Sequence, residues 1–135
     1  MQTFVPYPCF RQSMEALDDS RLGNQVYREG MTLLRGGWPN HPAAKMWHRY
    51  DSALASYLLA GVDELYDRGR SYYDRPWCKE LVDILYKFGD DIRLPPWWGD
   101  ERVHSSHRAN LLRKDPVWYG QWGWTEAPDT GYYWP

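Results

Sequence analysis

With 135 residues the chain is long enough to bury the core of one domain, and its formal net charge of −2 at pH 7 excludes a polycation that binds nucleic acid through overall charge. Nine Trp and eleven Tyr exceed what such a core requires, so several aromatic side chains are expected on the surface or around a cleft. The two cysteines lack the spacing of a zinc site or a disulfide framework, and no apolar run approaches the roughly 20 residues of a membrane span, so we expect a cytoplasmic protein.

The chain is predicted to begin with an arm and a first helix. Residues 1–13 are predicted to be extended because Pro6 and Pro8 interrupt any helix there. A helix is then predicted to start at a capping residue among residues 18–20 and to run to about Leu34.

A long second helix is predicted to form the centre of the core. Residues 36–40 (GGWPN) end the first helix, and Pro42 suits the first turn of the next one. The predicted helix runs to about Arg68, where Gly69 stops it. Its apolar side chains that recur at helical spacing are Trp47, Leu54, Leu58, Val62 and Leu65.

Two further helices and an irregular tail complete the predicted architecture. Residues 77–88 place apolar side chains on one helical face, a loop rich in Pro and Trp follows over 90–100, and residues 101–113 form a short helix. The aromatic, glycine-bearing tail over 114–135 is predicted to be irregular. Because no segment alternates with a period of two, the sequence predicts an all-α fold, with residues 1–135 as one compact bundle of three to four helices.

One carboxylate of the first helix lies among apolar positions. Leu22, Val26 and Leu33 form a stripe at about 100° per residue, and Glu29 falls on that stripe. The neighbouring polar row consists of Arg21, Gln25, Arg28 and Thr32. A carboxylate at the border of an apolar face is costly unless a partner holds it, so Glu29 is either a candidate acid or base or one half of a structural ion pair.

Cationic and aromatic side chains are concentrated in residues 97–119 (WWGDERVHSSHRANLLRKDPVWY), a composition that favours nucleic-acid or nucleotide binding. His104 and His107 share a helix face, but no Cys or acidic triad completes a metal site, and we expect no cofactor. Arg108 fits a phosphate contact and a structural ion pair equally well. His41, at a predicted helix start, is either a capping histidine or a neutral donor to a phosphate or a base.

Four segments, in order along the chain, resemble the pyrimidine-dimer DNA glycosylase/AP-lyase family of the T4 endonuclease V type. They are residues 17–29, which begin LDDSRL and end YRE, Asn40-His41 before the long helix, residues 64–69 (ELYDRG), and residues 113–119 (RKDPVWY) with the aromatic tail. The chain is similar above all to small phage and bacterial members of that family without a settled activity.

The resemblance implies a compact helical fold and a DNA repair enzyme with glycosylase and AP-lyase chemistry. In that chemistry the N-terminal α-amine attacks the sugar C1′ of a damaged nucleotide, and a helix glutamate supports the imine intermediate and β-elimination of the strand. Carried over to this chain, Met1 supplies the amine and Glu29 is the acid. Together with the residues picked out above, the expected DNA-binding set is Arg21, Gln25, Arg28, His41, Lys45, His104, His107, Arg108, Arg113, Lys114, Trp118 and Tyr119. The expected partner of a monomer is damaged or modified duplex DNA, or a nucleotide.

Two features depart from the family pattern. Gln2 is bulky and disfavours removal of the initiator Met, so either that Met supplies the amine or other processing exposes Thr3. The spacing between Arg21 and Glu29 is one residue longer than the pattern, and an ungapped match puts Arg28 at the acid position. One residue rotates a helical side chain by about 100°, so the choice decides which side chain enters the site.

Two other functions stay open on the same residues. The helical fold could modify a hypermodified base or a nucleotide, as in phage DNA metabolism, which the bulky second residue favours. Alternatively, the chain could be a non-catalytic binding module for nucleic acid or protein, which the aromatic surface and the near-neutral charge favour.

Overall fold

The computed structural model describes residues 2–89 and 91–135, and it confirms the all-α fold, with no strand in those ranges. The helices are α1 (Phe10–Ala16), α2 (Asp19–Asn24), a π-helical segment (Gln25–Gly30), α3 (Met31–Leu34), α4 (Pro42–Trp47), α5 (Asp51–Asp67), α6 (Pro76–Phe88), α7 (Glu101–Lys114), α8 (Pro116–Tyr119) and a 3₁₀ turn (Gly120–Trp122). Their number exceeds the predicted three to four because helices as short as α1, α4 and α8 carry too few turns for a repeating apolar pattern.

The N-terminal arm is shorter than predicted, because α1 begins at Phe10, inside the segment expected to be extended. The residue before it, Cys9, is still extended, with φ −154° and ψ 123°. Residues 2–6 are buried, so the arm runs through the interior of the protein rather than along its surface. Its backbone groups therefore need partners inside the fold.

The first predicted helix is confirmed, and it contains a wide turn. Asp18 precedes it in an extended conformation, and the helix continues from α2 through the π-helical segment into α3, which ends at Leu34. In a π-helix each N–H bonds to the carbonyl five residues earlier instead of four, so a turn accommodates an extra residue. Such turns are frequent at functional sites.

The prediction of one long second helix is wrong, because α4 and α5 are separated by residues 48–50. Arg49 has a φ of 67°, in the left-handed region that a right-handed helix of L-residues excludes. Apolar side chains repeat at helical spacing on both sides of the break, so the periodicity did not reveal it. The predicted end is confirmed, since α5 stops at Asp67 and Gly69 has a φ of 91°. As predicted, α5 lies at the centre of the core, packed against α1, the π-helical segment and α6.

Two glycines let the π-helical segment and α5 approach closely. A Cβ atom at Gly30 would lie 2.2 Å from a methyl carbon of Leu58, and one at Gly61 would lie 2.3 Å from a methyl carbon of Val26. These distances are too short for any real Cβ contact, so neither position accommodates a larger side chain without a shift. The close crossing fixes the segment that carries Glu29 against the core.

The predictions for α6 and α7 are confirmed to within a residue or two. Asp100 caps the start of α7, and its side chain accepts a hydrogen bond from the N–H of Arg102. The tail starts with α8 and the 3₁₀ turn, and residues 123–135 contain no helix. None of the helices in residues 2–89 and 91–135 has the length and apolar composition needed to cross a membrane.

Candidate active site

A cavity of about 380 Å³ opens where the arm, the first helix and the tail meet. It is lined by Gln2, Phe4, Ser20, Arg21, Asn24, Gln25, Glu29, Lys114 and Tyr132. Four of these were predicted from the sequence: Arg21, Gln25, Glu29 and Lys114. The fold therefore gathers a carboxylate, an amide and two cations at the end of the chain's buried arm.

Glu29 lies beside the backbone nitrogen of Gln2. Its Oε2 accepts hydrogen bonds from that N–H at 3.3 Å and from Gln25 Nε2 at 3.0 Å. Thr3 is fully buried and its N–H donates to Gln2 Oε1, so the nitrogen of Thr3 is not the one beside Glu29. Met1, predicted to supply the amine, lies outside the described residues. A carboxylate in this position can exchange protons with a group at the start of the chain.

The wide turn gives Glu29, rather than Arg28, the position facing the arm. The extra residue between Arg21 and Glu29 had left both side chains open as the family acid. Because the π-helical segment takes up an extra residue in this stretch, Glu29 is turned into the cavity while Arg28 is exposed outside it.

The two histidines of α7 hold the arm from inside the protein. His107 Nδ1 accepts a hydrogen bond from the N–H of Val5 at 2.9 Å, and His104 Nδ1 lies 2.7 Å from the carbonyl oxygen of Val5. Because His104 Nε2 accepts from the N–H of Gly99 at 3.0 Å, Nδ1 carries the proton and donates to Val5. Both rings are fully buried, so the expectation that they contact DNA does not fit their position.

Burial keeps both histidines neutral. Desolvation, together with a smaller contribution from the neighbouring His104, lowers the pKa of His107 to about 3. Desolvation also lowers the pKa of His104, opposed by its hydrogen bond to Val5. Within the described ranges, His107 Nε2 has no hydrogen-bond partner, and no three His, Cys, Asp or Glu side chains group as metal ligands do.

Side chains from other helices hold the rest of the arm. The N–H of Phe4 donates to Gln25 Oε1 at 2.6 Å, and the Tyr57 hydroxyl donates to the carbonyl oxygen of Phe4 at 2.6 Å. Trp47 Nε1 donates to the Thr3 hydroxyl at 2.8 Å. Because no strand of residues 2–89 and 91–135 lies alongside the extended arm, these side chains satisfy the backbone and hydroxyl groups it buries. Gln25, expected to bind DNA, instead connects the arm to Glu29.

Arg21 reaches the cavity with its charge already paired. Its Nη1 donates to Asp18 Oδ1 at 3.1 Å, and the Tyr119 hydroxyl donates to the same oxygen. Tyr119 is fully buried and stacks on Trp124, with ring centroids 5.7 Å apart. Trp118 is half-buried and donates to a carbonyl oxygen of α1. The two aromatic side chains expected to face DNA therefore pack the tail onto the first helices.

The N-terminal part of the chain, which supplies most of the cavity residues, also matches a known protein family. A sequence model of the family described as pyrimidine dimer DNA glycosylase matches residues 1–79, which is more than half of the 135 residues. The chain belongs to this family. The match includes the arm, Arg21, Gln25 and Glu29, whereas α7 and the tail lie beyond it. No solved structure matches the chain.

The cations of α7 differ in their surroundings. Arg108 donates to Glu126 at 3.0 Å and to the carbonyl oxygen of Pro6 at 2.7 Å, so its structural role is favoured over a phosphate contact. Arg113 and Lys114 are exposed and form no ion pair with any carboxylate in residues 2–89 and 91–135. Lys114 also lines the cavity, which leaves it free to meet an anionic ligand there.

Two predicted DNA-binding residues lie away from the cavity. His41 Nδ1 accepts a hydrogen bond from the N–H of Ala43 at 3.0 Å and caps α4, and its ring edge contacts Trp134. Lys45 is exposed on α4 and lines a separate cavity of about 630 Å³. The capping interpretation of His41 is thus the one its hydrogen bond supports.

Sequence reasoning missed five residues of the cavity wall. Ser20 and Asn24 lie on the same helix as Glu29, and helical spacing corrected for the π-helical turn would have found them. In the sequence, Gln2 stands out only for its bulk. Phe4 and Tyr132 carry no local signal, because they join the site from the arm and from the far end of the chain.

Proposed function

We propose that this member of the family is a DNA glycosylase with AP-lyase activity that releases a damaged or modified base through the N-terminal amine. The family match supports glycosylase activity on DNA in general. The finer proposal is carried by the hydrogen bond of 3.3 Å between Glu29 Oε2 and the nitrogen of Gln2. That contact brings the first residues of the chain beside a carboxylate in an open cavity.

The proposed reaction needs an acid–base group next to the amine. An α-amine has a reference pKa of about 7.7–8.0, so a useful fraction is neutral and nucleophilic at pH 7. As the nitrogen bonds to C1′, the glycosidic bond breaks and the base leaves with a proton taken up from solvent. Glu29 accepts a proton from the nitrogen and returns one to the ring oxygen as the sugar opens to the imine. Loss of the C2′ proton to solvent then breaks the C3′–O bond, and the 3′ phosphate leaves.

We assign the amine to Met1, since the bulk of Gln2 disfavours removal of the residue before it. A chain that lacked Met1 would present the nitrogen of Gln2 as its α-amine, already within hydrogen-bond distance of Glu29. The proposed chemistry is the same for a chain that keeps Met1 and for one that lacks it, and the mass of the protein distinguishes the two chains.

The proposed DNA contacts are the cations nearest the cavity. Arg21 and Lys114 line it, and Arg28 and Arg113 are exposed on the same two helical elements. Local cations of this kind can bind phosphates although the net charge is −2. A pyrimidine dimer is poorly stacked, so bending or flipping it costs less than for intact DNA. A monomer acting in the cytoplasm is part of the proposal.

The test is release of the damaged base and strand cleavage on a duplex with a single pyrimidine dimer. Glu29→Gln should lower the single-turnover rate by roughly 100- to 10,000-fold, because the amide cannot relay protons. DNA affinity should change little. The matched control is Glu80→Gln, which should keep the full rate. It alters an exposed carboxylate on α6 that pairs with Arg35.

Full activity of Glu29→Gln would contradict the assignment of the acid. Activity that survives acetylation of the α-amine would contradict the imine route and favour modification of a base or nucleotide instead.

A further inference from the structure

We infer that His104 and His107 are positioning residues: they brace the backbone of Val5 so that the arm holds the backbone nitrogen of Gln2, the residue after Met1, beside Glu29. The inference rests on the proposed function, since it assigns the two histidines a part in the amine chemistry. Neither side chain reaches the cavity wall, so they act through the arm and touch no substrate.

The brace holds both ends of one residue's backbone. His107 accepts from the N–H of Val5, and His104 donates to the carbonyl of Val5. The two rings therefore need opposite tautomers, with the proton on Nε2 in His107 and on Nδ1 in His104. Their spacing of three residues on α7 points both rings to the same side of that helix.

From this brace to Glu29 every residue of the arm has a side-chain contact. Phe4 is held by Gln25 and Tyr57, and the Thr3 hydroxyl by Trp47. The carbonyl of Gln2 accepts from Gln25 Nε2. The first residues of most domains are poorly ordered, whereas here the chain is fixed up to the nitrogen beside the carboxylate.

A fixed arm matters to the chemistry because a nucleophile at its end gains a large effective concentration when it is held in an attack geometry. A displacement of about 1 Å can cost on the order of 100-fold in rate. Two buried imidazoles also carry a desolvation cost that satisfying the N–H and the carbonyl of one residue does not require. If the histidines only satisfied buried backbone groups, replacing them would lower the stability and leave the reaction rate of the folded protein unchanged. A loss of rate therefore distinguishes the positioning role from that purely structural role.

The test compares His107→Leu with His107→Asn in the full-length protein. Leucine removes the acceptor for the Val5 N–H, whereas Oδ1 of asparagine can take the place of Nδ1. The rate of borohydride trapping on a duplex with a preformed abasic site should fall about tenfold or more in His107→Leu and recover most of that loss in His107→Asn. Affinity for a duplex with a stable tetrahydrofuran abasic analogue should change less than about twofold in both, since neither histidine contacts DNA.

Leu81→Ala supplies the control for general loss of stability. Leu81 is fully buried in α6 and belongs to neither the arm nor the cavity. The Leu81→Ala substitution should lower the melting temperature and leave the trapping rate of the folded protein unchanged.

Three results would overturn the positioning role. They are an unchanged trapping rate in His107→Leu, no recovery in His107→Asn, and an equal loss of rate in Leu81→Ala. In each of them the unaltered protein still traps DNA, so the proposed function stands. Failure of the unaltered protein to trap any abasic duplex contradicts the proposed function itself and removes the reaction that the brace would serve.

Discussion

Side-chain surroundings separate the cations that can reach DNA from those committed to the fold. Arg108 is held by Glu126 and by the carbonyl of Pro6, whereas Lys114 is exposed at the cavity without an ion pair in the described ranges. The sequence predicted both as DNA-binding residues. It could not separate them, because Glu126 lies 18 residues beyond Arg108 in a tail without a repeating pattern.

Replacing Lys114 should weaken DNA binding through the loss of one phosphate contact. We expect Lys114→Gln to reduce the slope of log K against log salt concentration by about 0.9 for duplex DNA. Binding titrations at several salt concentrations measure it. Lys87→Gln on α6, also exposed, should leave the slope unchanged. Equal slopes for the unaltered protein and Lys114→Gln would show that Lys114 contacts no phosphate.

The histidines show why residue type alone did not assign a role. A His-x-x-His pair beside arginines is typical of several binding sites, and the sequence placed it on the substrate side. Its partner, Val5, lies about 100 residues earlier and offers only backbone atoms. No pattern in the side chains of the sequence reports such a contact.

Helices with a strong apolar repeat were predictable, and breaks within them were not. The bounds of α6 and α7 agree with the prediction because each has several turns and a clear start and end signal. The break at Arg49 and the π-helical segment depend on backbone geometry that tertiary packing imposes. Glu29 could be recognised as exceptional, but its choice over Arg28 required that geometry.

Inserting a methyl group between α5 and the π-helical segment should destabilise the protein. Gly61→Ala places a methyl group against Val26 and Met14, and such overpacking costs about 1–3 kcal/mol. The free energy of unfolding in urea measures the effect. Gly120→Ala is the matched control, because a Cβ there meets nothing within 4 Å and its φ is −64°. A Gly61→Ala protein as stable as the control would mean that the two segments can move apart freely.

For the molecule as a whole, we expect stability to fall as the pH drops below about 6.5. The folded-state pKa of His107 is depressed to about 3 from an ordinary value of 6.5. Between these two pH values His107 is protonated in the unfolded chain but neutral in the folded protein. This contribution to stability is complete above 6.5 and is lost as the pH falls towards 3, by about 1.4 kcal/mol per pH unit.

Urea unfolding of the unaltered protein and of His107→Asn between about pH 4 and pH 7 tests this dependence of stability on pH. The variant should have the shallower dependence, with the remaining slope including the contribution of His104, whose pKa burial also lowers. Parallel dependences would contradict a neutral, buried His107.

The proposed function requires a reactive α-amine that works with Glu29, and one measurement tests this requirement most directly. The purified protein is incubated with abasic-site duplex and borohydride, and the products are analysed by intact and peptide mass spectrometry. We expect a covalent DNA adduct on the first residue of the chain, and we expect much less of it in Glu29→Gln. No adduct, from a protein whose mass shows an unblocked first residue, would contradict the proposed function and leave only the fold and the family.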